Sequence, residues 1–575
     1  MKKINLLALA LLSFSCSAWA QNGSLITSRE YPQGYFRPPL NIAMDASGTF
    51  GELRSTHFHA GDDYRTQQRI GLPLYAAAEG KISRIRVQIG GGGNSVYIDH
   101  PNGYTSVYLH MDSFNDQITR LLRAEQYKQK RFDVDLVLDK DMIQVQKGQL
   151  IGRTGNTGGS AGPHLHFEIR DTKSQHPLNP QLFSLRFKDN YHPSILGAML
   201  YDLSSPIFNE FTPRTPLKVK SIGPGKYTLS QSSPISVAGI FGLGINTNDR
   251  HRAAGFTNGV YSIELFIDAQ PVSTVVFEEL DYNTSSAILS YIDYPYYSKT
   301  KAKIQKSFKD PGNPIEIFKT LSNNGIIQLA ENKVYDVKYV VKDIAGNCSE
   351  LNFKINYKKP TEALASPKVL KGELMAYNQN NSFSTEDIKL QIPKGALYDD
   401  LDFVYTASAP LDKSYSKLHK VHNTLTPLFT SYNLSIKAIN LPEHLQSKAI
   451  IASTTHGSIG GVYKDGWVSV NTKVFGNFYV SVDTTAPSIT ARNLVNGKNV
   501  SQQSKIDFTI ADNFSGIQSF DGYIDDKWVL MEYDSKNKHL WHSFESSLSK
   551  GEHTFKLIVK DWKDNEKVFQ AKFIR

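Results

Sequence analysis

Residues 155–170 read GNTGGSAGPHLHFEIR. The glycine-rich lead ends at Pro163, and a short run from His164 to Ile169 follows with the two-residue period of a β-strand. Residues two apart on a strand project to the same face. His164 and His166 can therefore reach one small site, and Glu168 shares their face. Outward from this run lie other short apolar strands divided by glycine turns: Leu74–Ala78, Ile82–Val87, Val96–Ile98 and Tyr104–His110. Pro101-Asn102-Gly103 separates two of them and reads as a hairpin turn. From Asp112 to Lys130 the period changes, with Ile118, Leu121, Leu122 and Tyr127 set among charged residues, which predicts one amphipathic helix. The fold class is mainly β. Residues 21–200 are expected to form an antiparallel sheet domain with a helical insertion.

Two further clusters accompany the quoted stretch: His59-Ala60-Gly61-Asp62-Asp63 and Tyr108-Leu109-His110-Met111. A catalytic zinc takes three protein ligands and keeps one position open for water. His59 and Asp63 frame a glycine that lets the backbone turn both side chains inward. With His110, His164 and His166 they make five groups, enough for three ligand places and two catalytic ones. A bound zinc lowers the pKa of water toward about 7 and polarises a carbonyl. What remains to be supplied is a proton shuttle and a stabiliser for an oxyanion. Spacing alone does not divide the five groups between these roles.

H-x-x-x-D, a histidine in a Tyr-x-His strand, and H-x-H behind a G-N-T-G-x-S-x-G-P lead occur here in one order. Together they resemble the lysostaphin-type, or LytM-like, zinc metalloendopeptidases. The resemblance covers about a third of the chain and is fullest from Val145 to Arg170. It implies one Zn2+ held by His59, Asp63 and His166. It implies that His110 and His164 line the open side, orient water, move protons and stabilise the oxyanion. It also implies the substrate, the stem or cross-link peptides of peptidoglycan. Two positions depart from the pattern. Asp62 stands where an apolar residue is usual, either altering hydrogen bonds around Asp63 or facing water, and Met111 replaces leucine. His57 shares strand spacing with His59 and is a rival ligand, expected instead at the surface or beside a ligand. His100 is expected to be exposed. Glu168 is expected to make a structural hydrogen bond. Gly90 to Gly93 is expected to be a flexible loop, because no Lys-Ser/Thr follows to make a phosphate cradle.

The chain has 575 residues, and at about 100–200 residues per domain it holds roughly three to five domains. Beyond the first, three β-sandwiches are expected. Residues 218–358 and 484–575 resemble bacterial immunoglobulin-like domains, each closing on a strand, an Asp-x-x-(Gly/Asp)-Asn turn and a last strand. Residues 366–482 read as a β-sandwich of uncertain type, with a short ZU5-like match at Leu390–Leu397. Residues 1–20 read as an export signal: Lys2 and Lys3, the apolar run Ile4–Phe14, and a cleavage site after Ala20. A lipoprotein signal at Cys16 is the rival. The expected location is the periplasm, cell envelope or exterior. No later stretch is apolar enough to span a membrane. After cleavage Cys348 alone remains of the two cysteines, so no intramolecular disulfide forms. The formal charge of +9 becomes +7 once the two signal lysines are gone (9 − 2), which suits solubility and contact with anionic wall polymers. No nucleic-acid partner is expected, and the β-domains are candidates for contacts with other envelope proteins. Two other classes compete with the peptidase: a non-catalytic regulator of wall hydrolases, and an adhesin-like binding protein.

Overall fold

The computed structural model describes residues 25–139, 142–205, 207–252, 255–359 and 371–575. The expected leader, Cys16 included, lies outside them. The architecture is mostly β and predominantly antiparallel, and the apolar residues gather into four main cores that follow one another along the chain. No helix among the described residues is long and apolar enough to cross a membrane.

The first unit contains β1 (Ala46–Gly48), β2 (Asp62–Arg65), β3 (Pro73–Tyr75), β4 (Gly80–Val87), β5 (Asn94–Asp99), β6 (Tyr104–Met111), β7 (Ser113–Phe114), α1 (Asp116–Gln129), β8 (Val134–Val137), β9 (Gln144–Val145), β10 (Leu150–Arg153), β11 (His164–Asp171) and β12 (Pro177–Leu178). Its main sheet runs β1-β2-β11-β6-β5-β4-β8, with β12 beside β11 and β9 beside β4. A small sheet, β3-β10-β7, completes the unit. Leu165, Phe167 and Ile169 of β11 are fully buried in the first core with Tyr64 and Tyr108. Each such side chain contributes about 1.5–3 kcal/mol. The 101–103 turn joins β5 to β6, with Gly103 at φ +85°, a conformation that favours glycine. Helix α1 is capped by Asn115, whose Oδ1 accepts from the Ile118 amide at 3.0 Å. Ile118 and Leu122 bury its inner face.

Several positions differ from expectation. His100 is buried, not exposed: its ring nitrogens bond Glu79 O at 2.7 Å and Ser106 Oγ at 2.8 Å. The 90–93 glycines do lie in a loop, and it packs closely on residues 157–159. Gly91 O accepts from the Gly159 amide at 2.8 Å, and a Cβ on Gly93 would lie 2.4 Å from Thr157 Oγ1. The strand Ser194–Asp202 pairs with Phe241–Asn248 and Arg214–Leu217, so it belongs to the second unit. The first core runs along the chain to Phe187 and beyond it draws in only Tyr261, Val276 and Ile344 among its buried members.

The second unit sets a four-stranded sheet beside an eight-stranded mixed one built on the hairpin Val334–Lys342 and Cys348–Lys358. Cys348 is half-buried at the start of the return strand. Further along, two five-stranded sheets share the third core, and a four- and a five-stranded sheet share the fourth.

Candidate metal centre

Antiparallel pairing of β11 with β2 sets His166 directly across from Asp63. On its other side His166 faces Leu109 of β6. His59 enters from the segment before β2, where His59 N donates to Glu52 O and Gly51 N donates back to His59 O, both at 2.9 Å. His110, one residue beyond Leu109, would point away from His166 by simple alternation. It instead takes φ +60°, a left-handed conformation uncommon outside glycine, and this brings its ring 4.9 Å from that of His164 and 6.0 Å from that of His166. Such a backbone costs about 1–3 kcal/mol and is held by its surroundings. Here the His110 amide donates to Gly92 O at 2.9 Å.

Three ligand-type atoms converge. His59 Nε2 lies 3.0 Å from Asp63 Oδ1, His166 Nδ1 lies 2.9 Å from the same oxygen, and the two nitrogens are 2.9 Å apart. All three residues are buried. Ligand atoms about 2.0–2.1 Å from a tetrahedral ion sit about 3.3 Å from one another, so this donor set fits one zinc with a small opening. The far nitrogens fix the tautomers. His59 Nδ1 donates to Thr49 O at 2.8 Å, and His166 Nε2 to Glu168 Oε1 at 3.0 Å. The inward nitrogens are left as acceptors, the protonation a metal requires.

His110 Nδ1 donates to Thr157 O at 2.9 Å, and His164 Nδ1 to Gly162 O at 2.8 Å. Each thereby keeps Nε2 for chemistry, and that of His164 lies 3.4 Å from Asp63 Oδ1. Burial, with repulsion from His166 and His164, pushes His110 down to about 3, so its imidazole is neutral near pH 7. Burial alone would raise Asp63, but the surrounding histidines hold it well below the ordinary carboxylate range. Burial likewise opposes ionisation of Glu168, yet Arg170 and His166 bring it down to about 2.

Glu168 makes the structural hydrogen bond expected of it and extends it to two more partners. Arg170 Nε donates to its Oε2 at 2.6 Å, and Tyr282 of the second unit donates to Oε1 at 2.6 Å. Asp62 does not face water. It is fully buried, its Oδ1 accepts from Phe50 N at 3.1 Å, and burial pushes it up to about 7. His57 is exposed and stands outside the cluster. Sequence reasoning missed Tyr282 and also Arg54, whose Nη2 lies 3.0 Å from Asp63 Oδ2 and 3.1 Å from Glu52. Neither lies in a motif; only the packing of distant segments reveals them.

Residues 57–127 and 133–180 match the Peptidase family M23 model, and residues 372–483 match the Zu5-like domain model. An uncharacterized metalloprotease of Haemophilus influenzae is 30% identical over 160 residues, 26% of this chain and 28% of that protein. The peptidoglycan DD-endopeptidase ShyC of Vibrio cholerae is 29% identical over 157 residues, 26% of this chain and 28% of its own. The chain thus spans about a quarter of the length of these relatives. Among solved structures, the lysostaphin catalytic domain of Staphylococcus simulans is 25% identical, with a TM-score of 0.18 over 28% of this chain and 93% of that one. The region of uncertain type matches a Zu5-like domain, and the unit that carries the histidine cluster matches Peptidase family M23, the LytM-like metallopeptidases.

Proposed function

We propose that this chain is an exported, zinc-dependent endopeptidase that hydrolyses peptide bonds in the stem or cross-link peptides of peptidoglycan. The observation that carries the reading is the convergence of His59 Nε2, Asp63 Oδ1 and His166 Nδ1 within 3.0 Å of one another, with His110 and His164 beside them. Those three atoms would hold the ion. When bound, zinc supplies a Lewis acid for the scissile carbonyl and a more acidic water. His110, neutral and anchored through Nδ1, can accept a proton at Nε2 and return it to the departing amine. His164, anchored in the same way, keeps Nε2 free to orient the attacking water. The relatives' names point to the wall as substrate. The Zu5-like unit and the flanking β units, which we read as immunoglobulin-like, would position the enzyme in the envelope.

The test measures bound zinc and the fragments released from purified peptidoglycan, for the wild type, His166→Ala and His110→Ala. Wild type should hold zinc and release peptide-cleaved fragments. His166→Ala should lose both, and His110→Ala should keep the zinc but lose most of the release. A wild-type chain with neither zinc nor release would overturn the reading and leave a regulator of other hydrolases in its place.

A further inference from the structure

A second ligand-rich cluster lies where the chain passes from the first unit into the second. Asp189 follows shortly after Phe187 of the first core. Asp249 and His251 follow the strand Phe241–Asn248, and Asp343 opens the turn before the strand Cys348–Lys358. One ligand atom each from Asp189, Asp249 and His251 lies within 4.8 Å of the others. His251 Nδ1 is 2.9 Å from Asp189 Oδ2, a contact much like those in the first cluster. Asp249 is 2% exposed, and the Asp189 and His251 side chains are 4% and 9% exposed.

Asp189 accepts from the Tyr191 amide at 2.8 Å and Asp343 from Asn347, but the cluster lacks a cationic side chain to balance its carboxylates. Among the described residues no Lys or Arg side chain forms an ion pair with Asp189, Asp249 or Asp343. Asp249 Oδ1 and His251 Nε2 are buried with no hydrogen-bond partner, as is Oδ1 of Asn258, which pairs with Asp249 across the backbone. Burial, with repulsion from Asp343 and Asp189, pushes Asp249 up to about 8. Carboxylates crowded together away from water must take up a proton or a cation. A divalent ion would cancel the repulsion and give the unpartnered atoms a partner.

We propose that Asp189, Asp249 and His251 bind a second divalent ion, of the Zn2+ or Mn2+ class that accepts mixed carboxylate and imidazole ligands, and that this ion pins the exit of the first unit to the second. A third group, Asp483, Asp512 and Asp561, carries no such inference. Each of its carboxylates already accepts from a backbone amide, among them those of Ser515, Gly516 and Lys563, which shapes turns, and Asp512, whose Oδ1 has no partner, is only half-buried.

The test uses the full chain carrying His59→Ala and His166→Ala, which dismantles the first cluster. After loading with Zn2+ or Mn2+ and exhaustive dialysis, mass-spectrometric metal analysis should find one ion per chain. Adding Asp249→Asn should reduce that to none, while Asp249→Asn in an otherwise wild-type chain should leave one. If Asp249→Asn lowers the yield of folded protein, His251→Gln, which keeps a neutral hydrogen-bonding side chain, should give the same counts. A double variant that retains no ion, or one whose ion is indifferent to both Asp249→Asn and His251→Gln, overturns the proposal. The cluster is then a hydrogen-bonded histidine–carboxylate network without metal.

Discussion

Glu168→Gln removes one negative charge and leaves the shape of the site almost unchanged. In the wild type the Glu168 carboxylate is 1% exposed and receives His166 Nε2, Tyr282 Oη and Arg170 Nε. Its charge makes the His166 ring a stronger donor through Nδ1 and fixes which nitrogen faces the metal. Loss of such a partner costs about 10–100-fold in metal affinity, or about 1.4–2.7 kcal/mol. The substitution has a separate cost, because Arg170 is left buried without its counter-charge. Breaking a buried pair costs about 3–5 kcal/mol of folding stability. Zinc affinity is measured by competition with a chromogenic chelator, and stability by calorimetry on the same samples. Glu168→Gln combined with Arg170→Met should recover much of the stability and none of the zinc affinity. If folded Glu168→Gln binds zinc within about twofold of wild type, the carboxylate does not tune His166 and this reasoning fails.

Tyr282→Phe deletes the hydroxyl that the second unit contributes to Glu168, and zinc affinity should fall by a few-fold, less than for Glu168→Gln; no change by the same competition assay would show that the second unit has no hold on the centre. Asp399 is pushed up to about 7, first by burial and then by the charge of Asp310. Its stabilising contribution is therefore complete below about pH 4, the unfolded value, and is lost as pH rises through 7, by at most about 4 kcal/mol. Thermal melts from pH 4 to 8 should decline less steeply for Asp399→Asn than for wild type, and parallel curves would contradict the assignment. The last unit reaches the first through Trp528, set edge-on to Tyr127 at 5.3 Å, and through Lys536, whose Nζ contacts the carbonyls of Asn156 and Ser160. Trp528→Ala with Lys536→Ala should speed amide exchange in α1 and in 155–160 while leaving β11 protected, because an aromatic pair of this kind is worth about 0.5–1.5 kcal/mol. Unchanged exchange in α1 would mean the contact does not hold in solution.

What the sequence reveals here is what is local. The alternation of β11 places His164, His166 and Glu168 on one face, and the four-residue step from His59 to Asp63 needs only one strand entry to close. The 3.6-residue pattern of Ile118, Leu121 and Leu122 marks α1, though not its Asn115 cap, and Pro101-Asn102-Gly103 marks the β5–β6 turn. What it conceals depends on partners far along the chain. His100 looks polar and exposed beside a turn, but Phe36 packs 5.2 Å from its ring and Ser106 and Glu79 take its nitrogens. Strand period alone would turn His110 away from the centre, and only the left-handed backbone at that residue corrects it. The strand Ser194–Asp202 carries nothing in its own residues that says which neighbour it will pair with.

An antiparallel sheet can leave one face to water, and polar residues there need no partners from the protein. The face of β11 that carries His166, Glu168 and Arg170 has no such freedom, because all three are buried and Tyr282 of the second unit bonds to two of them. Every polar atom on that face must then be satisfied internally. The result is one continuous line: Tyr282 bonds Glu168, Glu168 accepts from His166 Nε2, His166 Nδ1 and Asp63 Oδ1 face the same ion site 2.9 Å apart, and Arg54 bonds Asp63. Glu168, His166 and Asp63 in the middle of the line are shut off from solvent, so a change at Tyr282 or Arg54 at its half-open ends should be felt at the inward nitrogen of His166. The second unit is for this reason part of how the centre is built, and a first unit cut away from it should bind zinc more weakly even with its five histidine and aspartate groups intact.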